Sequence, residues 1–214
     1  MLRALGQEPK LATDLPRWIA DAKIRKAPMD HRKPWWNYHA VAFVEARLPH
    51  GARVFEYGGG ASTLWLGDQG ATVTTVEDSA DWLAALAQRL PADADVRFVE
   101  TPANASAAQP WDPYSRAIEV EPDDSFDLVI VDGRARRDCV LAAAPKVRPG
   151  GMLLLDDSQA SDTEPPPRGD PTRMRTNYAD LPALLEGWVP HHLRGFKPGT
   201  WLPVQTTVWV KPQV

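Results

Sequence analysis

Several things are scarce in this chain of 214 residues. There is a single cysteine, Cys139, so no internal disulfide can form. It falls in an apolar helical pattern, where a buried thiol is the ordinary expectation. Long apolar runs are missing too. Nowhere do about 18 apolar residues run together, as a membrane-spanning helix requires, and Met1 to Lys10 has no apolar core of the kind a leader carries. The expectation is a cytoplasmic protein. Positive charge is in deficit, with a formal net charge of -4 and no extended Lys/Arg run. Such a chain has no global field for nucleic acid or anionic lipid, and neither is an expected partner. No internal repeat is visible. The length suits one α/β domain with appendages better than two full domains.

Proline and tryptophan are plentiful, at 21 and nine residues. The prolines gather outside the segments that read as strands, which points to stiff loops around a regular core. From residue 53 onward, short apolar runs alternate with helical patterns. Arg53 to Tyr57 reads as a strand that ends in glycines, and Ala61 to Asp68 as the first turns of a helix. Val73 to Glu77 is the second strand. Ser79 can cap the next helix, on which Trp82, Leu86 and Leu90 share a face until Pro91 closes it. Val96 to Val99 is a third strand, and Phe126 to Val131 a fourth, nearly continuous in apolar residues as in a strand buried on both faces. Asp138 to Val147 reads as a helix, Pro149-Gly150-Gly151 as a tight turn, and Met152 to Leu155 as a fifth strand. This alternation predicts an α/β fold, a doubly wound and mostly parallel sheet with helices on both faces. Residues 13 to 49 read as two helices, the second from Trp35 to Leu48. Trp188 to Leu193 and Val204 to Val210 fit an antiparallel pair added to the sheet. Residues 101 to 122 and 159 to 176 are Pro-rich loops, too long to be simple connections.

In a doubly wound sheet the ligand lies beyond the carboxyl ends of the strands. Glu56 to Gly60, Glu77, Glu100, Asp132 and Asp156 to Ser158 all fall there. A strand that turns through Gly58-Gly59-Gly60 into a helix lets a ligand approach where a Cβ would collide. Glu77, nineteen residues after Gly58, is placed to accept hydrogen bonds from ribose hydroxyls. A nicotinamide-type fingerprint would want glycine at position 63, where this chain has Thr63, and it would begin nearer the N-terminus. An NAD(P)-dependent oxidoreductase is therefore the alternative, as is a non-catalytic protein that keeps the cofactor site.

Phe55-Glu56-Tyr57-Gly58-Gly59-Gly60, Val76-Glu77-Asp78, Phe126 to Gly133 and Arg148 to Leu155 together resemble, in order and spacing, the motifs of class I S-adenosylmethionine-dependent methyltransferases. The phrases Ser62 to Leu66 and Val131 to Arg136 are similar to a bacterial small-molecule subgroup. The resemblance implies a Rossmann-like, seven-stranded sheet with an antiparallel last strand. It makes residues 51–214 the cofactor-binding domain and residues 1–50 a helical cap. It implies that S-adenosylmethionine is held by Glu56, Tyr57, Gly58, Gly60, Thr63, Glu77, Asp78 and Asp132, with Glu100 or Thr101 nearest the adenine. The acceptor would be a hydroxyl, or an amine, of a small molecule, with a homodimer left open.

Methyl transfer to O or N needs alignment and removal of a proton. Asp132, at the end of the fourth strand, is the candidate catalytic residue. Asp132, Asp156 and Asp157 together form a candidate Mg²⁺ set of hard oxygen ligands. The arrangement resembles the catechol-type O-methyltransferases, except that Asp157 stands for an amide and arginines stand where that group has a lysine base. The same carboxylates can instead cap the next segment of chain or pair with Arg134, Arg136 or Arg137. His39 and His191-His192 are further candidates for the base, and Trp35 to Tyr38 is either core or a lid. Arg168, Arg173 and Arg175 fit either a charged acceptor or an exposed loop.

Overall fold

The computed structural model describes residues 1–22, 28–91, 94–99, 112–159 and 178–213. Helices α1 (Leu2–Gln7), α2 (Leu15–Ala22), α3 (Pro28–His31) and α4 (Tyr38–Glu45) lead into strand β1 (Arg53–Tyr57). Next along the chain are α5 (Ala61–Asp68), β2 (Thr72–Glu77), α6 (Ala80–Ala87), β3 (Asp95–Phe98) and α7 (Asp112–Ser115). Then come β4 (Phe126–Val131), α8 (Arg136–Ala143), β5 (Val147–Leu155), α9 (Leu181–Leu184), β6 (Val189–Gly195) and β7 (Val204–Val210).

The seven strands form one sheet in the order β3-β2-β1-β4-β5-β7-β6. The first five pair in parallel, and β7 runs antiparallel to both β5 and β6. The order reverses between β2-β1 and β4-β5, so the crevice at the carboxyl ends opens beside β1 and β4. β6 runs in the same sense as β5, which puts the loop between β6 and β7 on that rim too.

The strand period of two sorts the core into two faces. Phe55, Tyr57, Val129, Val131, Leu153 and Leu155 share one face with Cys139, Val140 and Ala143 of α8. Val54, Leu128, Ile130 and Leu154 share the other with Ala40, Val41 and Val44 of α4 and Trp65 and Leu66 of α5. Most of these side chains are wholly buried, and each such Leu, Phe or Val contributes about 1.5–3 kcal/mol. Cys139 is buried as expected. Among the described residues no helix is long and apolar enough to cross a membrane.

The N-terminal helices join this body at its β6 side. Leu11, Trp18 and Tyr38 pack on Phe196, and the Asp14 carboxylate accepts from the Phe196 backbone N–H at 3.0 Å. α4 is shorter than Trp35 to Leu48 because Asn37 caps it, accepting from the Ala40 N–H at 3.0 Å. Trp36 is then core, edge-on to Trp65 at 6.2 Å between ring centroids, while Trp35 is half exposed. β5 is longer than expected. Pro149-Gly150-Gly151 lies within it, because Gly150 donates to the Lys211 carbonyl and Lys211 to that of Gly151, both at 2.9 Å. Trp188 to Leu193 and Val204 to Val210 do form the antiparallel pair, as Val189–Gly195 and Val204–Val210.

Candidate active site

The crevice begins at Gly58, whose φ of +89° is open to glycine at little cost. A Cβ there would meet the Gly133 backbone at 2.8 Å, so two loops, after β1 and after β4, touch with nothing between them. The Gly58 N–H donates to the Val76 carbonyl at 2.9 Å, and the Asp132 N–H to the Tyr57 carbonyl at 3.0 Å. Asp132 is thereby fixed beside the glycine loop.

Thr63 explains why position 63 is not glycine. Its hydroxyl accepts from the Gly60 N–H at 2.8 Å and donates to Glu56 Oε2 at 2.5 Å. Thr75 adds a second donor to that oxygen at 3.1 Å. Burial pushes the Glu56 carboxyl upward, and the Ser62, Thr63 and Thr75 hydroxyls pull it back. Three residues expected to touch the cofactor therefore act differently. Glu56 and Thr63 are turned into the protein and brace the loop from beneath. Tyr57 packs in the core, its hydroxyl donating to the Ser115 carbonyl at 2.6 Å. What these residues can still offer a ligand is the backbone they hold in place.

Glu77 stands at the end of β2. Its Oε1 accepts from the backbone N–H groups of Asp78 and Ser79 at 2.9 and 2.8 Å, which aims the carboxylate at the end of β2. Burial raises its pKa to about 7 against the pull of the Ser79 N–H. Asp78 faces across the crevice and accepts from Arg134 Nε at 3.3 Å. Trp82 was not expected here. It lies over Gly60 and donates its indole N–H to the Gly59 carbonyl at 2.5 Å. Its spacing with Leu86 suggested only an apolar face, although an indole N–H usually finds a partner when covered. A glycine loop and an oriented carboxylate at the neighbouring strand end fit a nucleoside-bearing cofactor.

The rim at the ends of β4 and β5 is built from charged groups. Arg136 opens α8 after an Ala135 at φ +44°, and donates to Asp132 Oδ1 at 3.0 Å and to the Asp156 carbonyl at 2.6 Å. Lys197, from the β6–β7 loop, places Nζ 3.3 Å from Asp156 Oδ2 and 3.0 Å from Asp157 Oδ1. Asp156 Oδ1 accepts from the Thr206 hydroxyl at 2.6 Å, and Thr206 in turn accepts from Asn37 Nδ2 at 2.9 Å. Burial, then Asp156, pushes Asp132 up to about 8, with Arg136 and Lys197 pulling the other way. Burial opposes the Lys197 charge, and Asp156, Asp157 and Asp132 more than offset it, so the ammonium persists.

These contacts correct the Mg²⁺ expectation. Asp132, Asp156 and Asp157 do meet, but each turns a carboxylate oxygen to a cation of the chain itself. Among the described residues no group of three or more His, Cys, Asp or Glu side chains is arranged to hold a metal. The donor set as it stands does not fit a divalent ion. Lys197, forty residues from Asp157 in sequence, carried no signal that could have linked the two. His39 is engaged with Asp14 at 3.3 Å and His192 with Thr207 at 3.1 Å. Glu100, Thr101, Arg168, Arg173 and Arg175 lie outside the described residues.

Residues 55–158 match a family model described as a methyltransferase domain. No curated protein sequence matches. Among solved structures, a Bacillus cereus O-methyltransferase in complex with SAH is similar at 19% identity and a TM-score of 0.58, over 94% of this chain and 97% of that one. The Burkholderia thailandensis 1,6-didemethyltoxoflavin-N1-methyltransferase, bound to its namesake compound and S-adenosylhomocysteine, is similar at 20% identity and a TM-score of 0.53. That match covers 94% of this chain and 87% of that one. A SAM-dependent methyltransferase from Archaeoglobus fulgidus is similar at 11% identity and a TM-score of 0.55, over 91% and 99%. With the glycine loop, the Glu77 carboxylate and the sheet order already in place, the chain shares the Rossmann-like fold of these methyltransferases, and residues 55–158 carry the match to a methyltransferase domain.

Proposed function

We propose that this enzyme methylates a hydroxyl, or in second place an amine, of a small molecule, and that it does so without Mg²⁺. The observation that carries the reading is the position of Asp132. Its backbone ties it to the glycine loop and its side chain to the charged acceptor rim. In this reading Gly58, Gly60, Glu77, Asp78 and the backbone of Glu56 and Tyr57 hold S-adenosylmethionine, which supplies the electrophilic methyl group on its sulfonium. Asp132 takes the proton of the acceptor, and Arg136 orients it through its 3.0 Å hydrogen bond. The net charge of -4 argues for a small acceptor over a polyanion. So does the 1,6-didemethyltoxoflavin-N1-methyltransferase that shares the fold and binds a small molecule.

The test is turnover to S-adenosylhomocysteine with a panel of phenols, sugars and small amines in the presence of chelator. Asp132→Asn is expected to lower kcat by roughly 10²–10⁴, the span of a lost proton-transfer group. Its affinity for S-adenosylhomocysteine should stay within about threefold of the parent. Methylation of a protein or nucleic acid in place of every small acceptor would overturn the reading. An Asp132→Asn enzyme with parental kcat would remove the proposed base.

A further inference from the structure

The three carboxylates at the ends of β4 and β5 present an electrostatic problem. Asp156 and Asp157 both push Asp132 upward, and Asp157 does the same to Asp156. Asp156 is also almost fully withdrawn from water, its side chain 1% exposed. Charges so placed need cations near them or they neutralise. The chain supplies two. Arg136 arrives from α8, and Lys197 arrives from the opposite side, on the loop between β6 and β7. The Lys197 side chain is 14% exposed, and its Nζ lies within 3.3 Å of oxygens from two different aspartates. Asp157 is held at φ +48°, a strained position for a residue other than glycine, and there both its oxygens face that ammonium, at 3.0 and 3.1 Å.

We propose that Lys197 is the resident cation of this site, standing between the strand-end carboxylates in the place where a divalent ion would otherwise bridge them. The lysine makes the site metal-independent and orders Asp156 and Asp157 as a positioning residue. The wild-type cluster thus refuses a divalent ion because an ammonium already neutralises its oxygens. Removing that ammonium leaves Asp156 and Asp157 without their cation, hard oxygen donors of the kind that suit Mg²⁺ or Mn²⁺. Arginine at 197 would keep the charge and keep the metal out.

The experiment is calorimetric titration of Mn²⁺ into the full chain and into Lys197→Met and Lys197→Arg. Far-UV circular dichroism and S-adenosylhomocysteine affinity are measured on the same samples. Lys197→Met is expected to bind one Mn²⁺ at least about tenfold more tightly than the parent, and to lose that gain when Asp156→Asn is added. Lys197→Arg should behave as the parent. The inference is overturned if the parent binds Mn²⁺ as tightly as Lys197→Met does, or if a folded Lys197→Met gains no affinity. Where Lys197→Met does not fold, Lys197→Gln takes its place under the same two criteria. Should neither fold, the parent decides: millimolar or weaker Mn²⁺ affinity sustains the inference, and tighter binding abolished by Asp156→Asn refutes it. None of these readouts involves methyl transfer, so a failure here is separable from a failure to find an acceptor.

Discussion

In the proposed function Glu77 accepts from ribose hydroxyls, which a carboxylate does best when ionised. Burial raises its pKa to about 7. Its ionised fraction then climbs from about 10% at pH 6 to about 90% at pH 8. If the cofactor binds only the ionised form, affinity for S-adenosylhomocysteine should rise about tenfold over that interval and level off above it. In Glu77→Gln both the affinity and its slope with pH should fall. Calorimetric titration at pH 6, 7 and 8 reads this directly, and a parent whose affinity is flat across the interval removes Glu77 from the site. At this scale the sequence was a good guide to position and a poorer one to orientation. Glu56, Glu77 and Asp132 all lie at strand ends on the ligand edge, as the alternation of elements required. Only packing decides that Glu56 turns inward to Thr63 and Thr75 while Glu77 is aimed at the crevice.

Elements carried a different share of the information. β1, α5, β4 and β7 coincide with the ranges read from the sequence, because glycine, a charged residue or proline stands at an end of each. The N-terminal helices and β5 departed from it where a distant contact overrode the local pattern. For β5 the contact is Lys211. For α4 it is Asn37, which one side chain makes both a cap and a link to the sheet. It accepts from the Ala40 N–H at 3.0 Å and donates to the Leu193 carbonyl and the Thr206 hydroxyl, both at 2.9 Å. Asn37→Ala should therefore cost about 2–3 kcal/mol, combining a lost cap of about 1 kcal/mol with buried groups left unpaired. Urea denaturation with an unchanged m-value would measure it. A loss below about 0.5 kcal/mol would mean that water replaces the amide and that α4 docks on apolar contacts alone.

Across the whole molecule the raised carboxyls share one consequence. Glu77 and Asp132 are pushed up to about 7 and 8, chiefly by burial. The unfolded chain ionises such groups near pH 4. Between about pH 5 and 8 the folded protein therefore keeps protons that the unfolded chain has already released, and raising the pH favours unfolding. Below that interval the balance reverses, because Lys197 holds Asp157 below its ordinary value despite burial, and Arg32 does the same for Asp68. Their contribution is lost as pH falls through the folded-state values. The ligand-free protein should thus melt highest at mildly acidic pH, near about 5, with a Tm that declines toward about pH 8. Saturating S-adenosylhomocysteine binds the ionised form of Glu77, so it should stabilise more at pH 8 than at pH 6 and flatten the decline. Thermal unfolding at constant ionic strength, with and without the ligand, tests both halves. A ligand-free Tm that rises from pH 5 to 8 would show that these carboxyls are ionised in the fold, with Arg136 and Lys197 prevailing over burial.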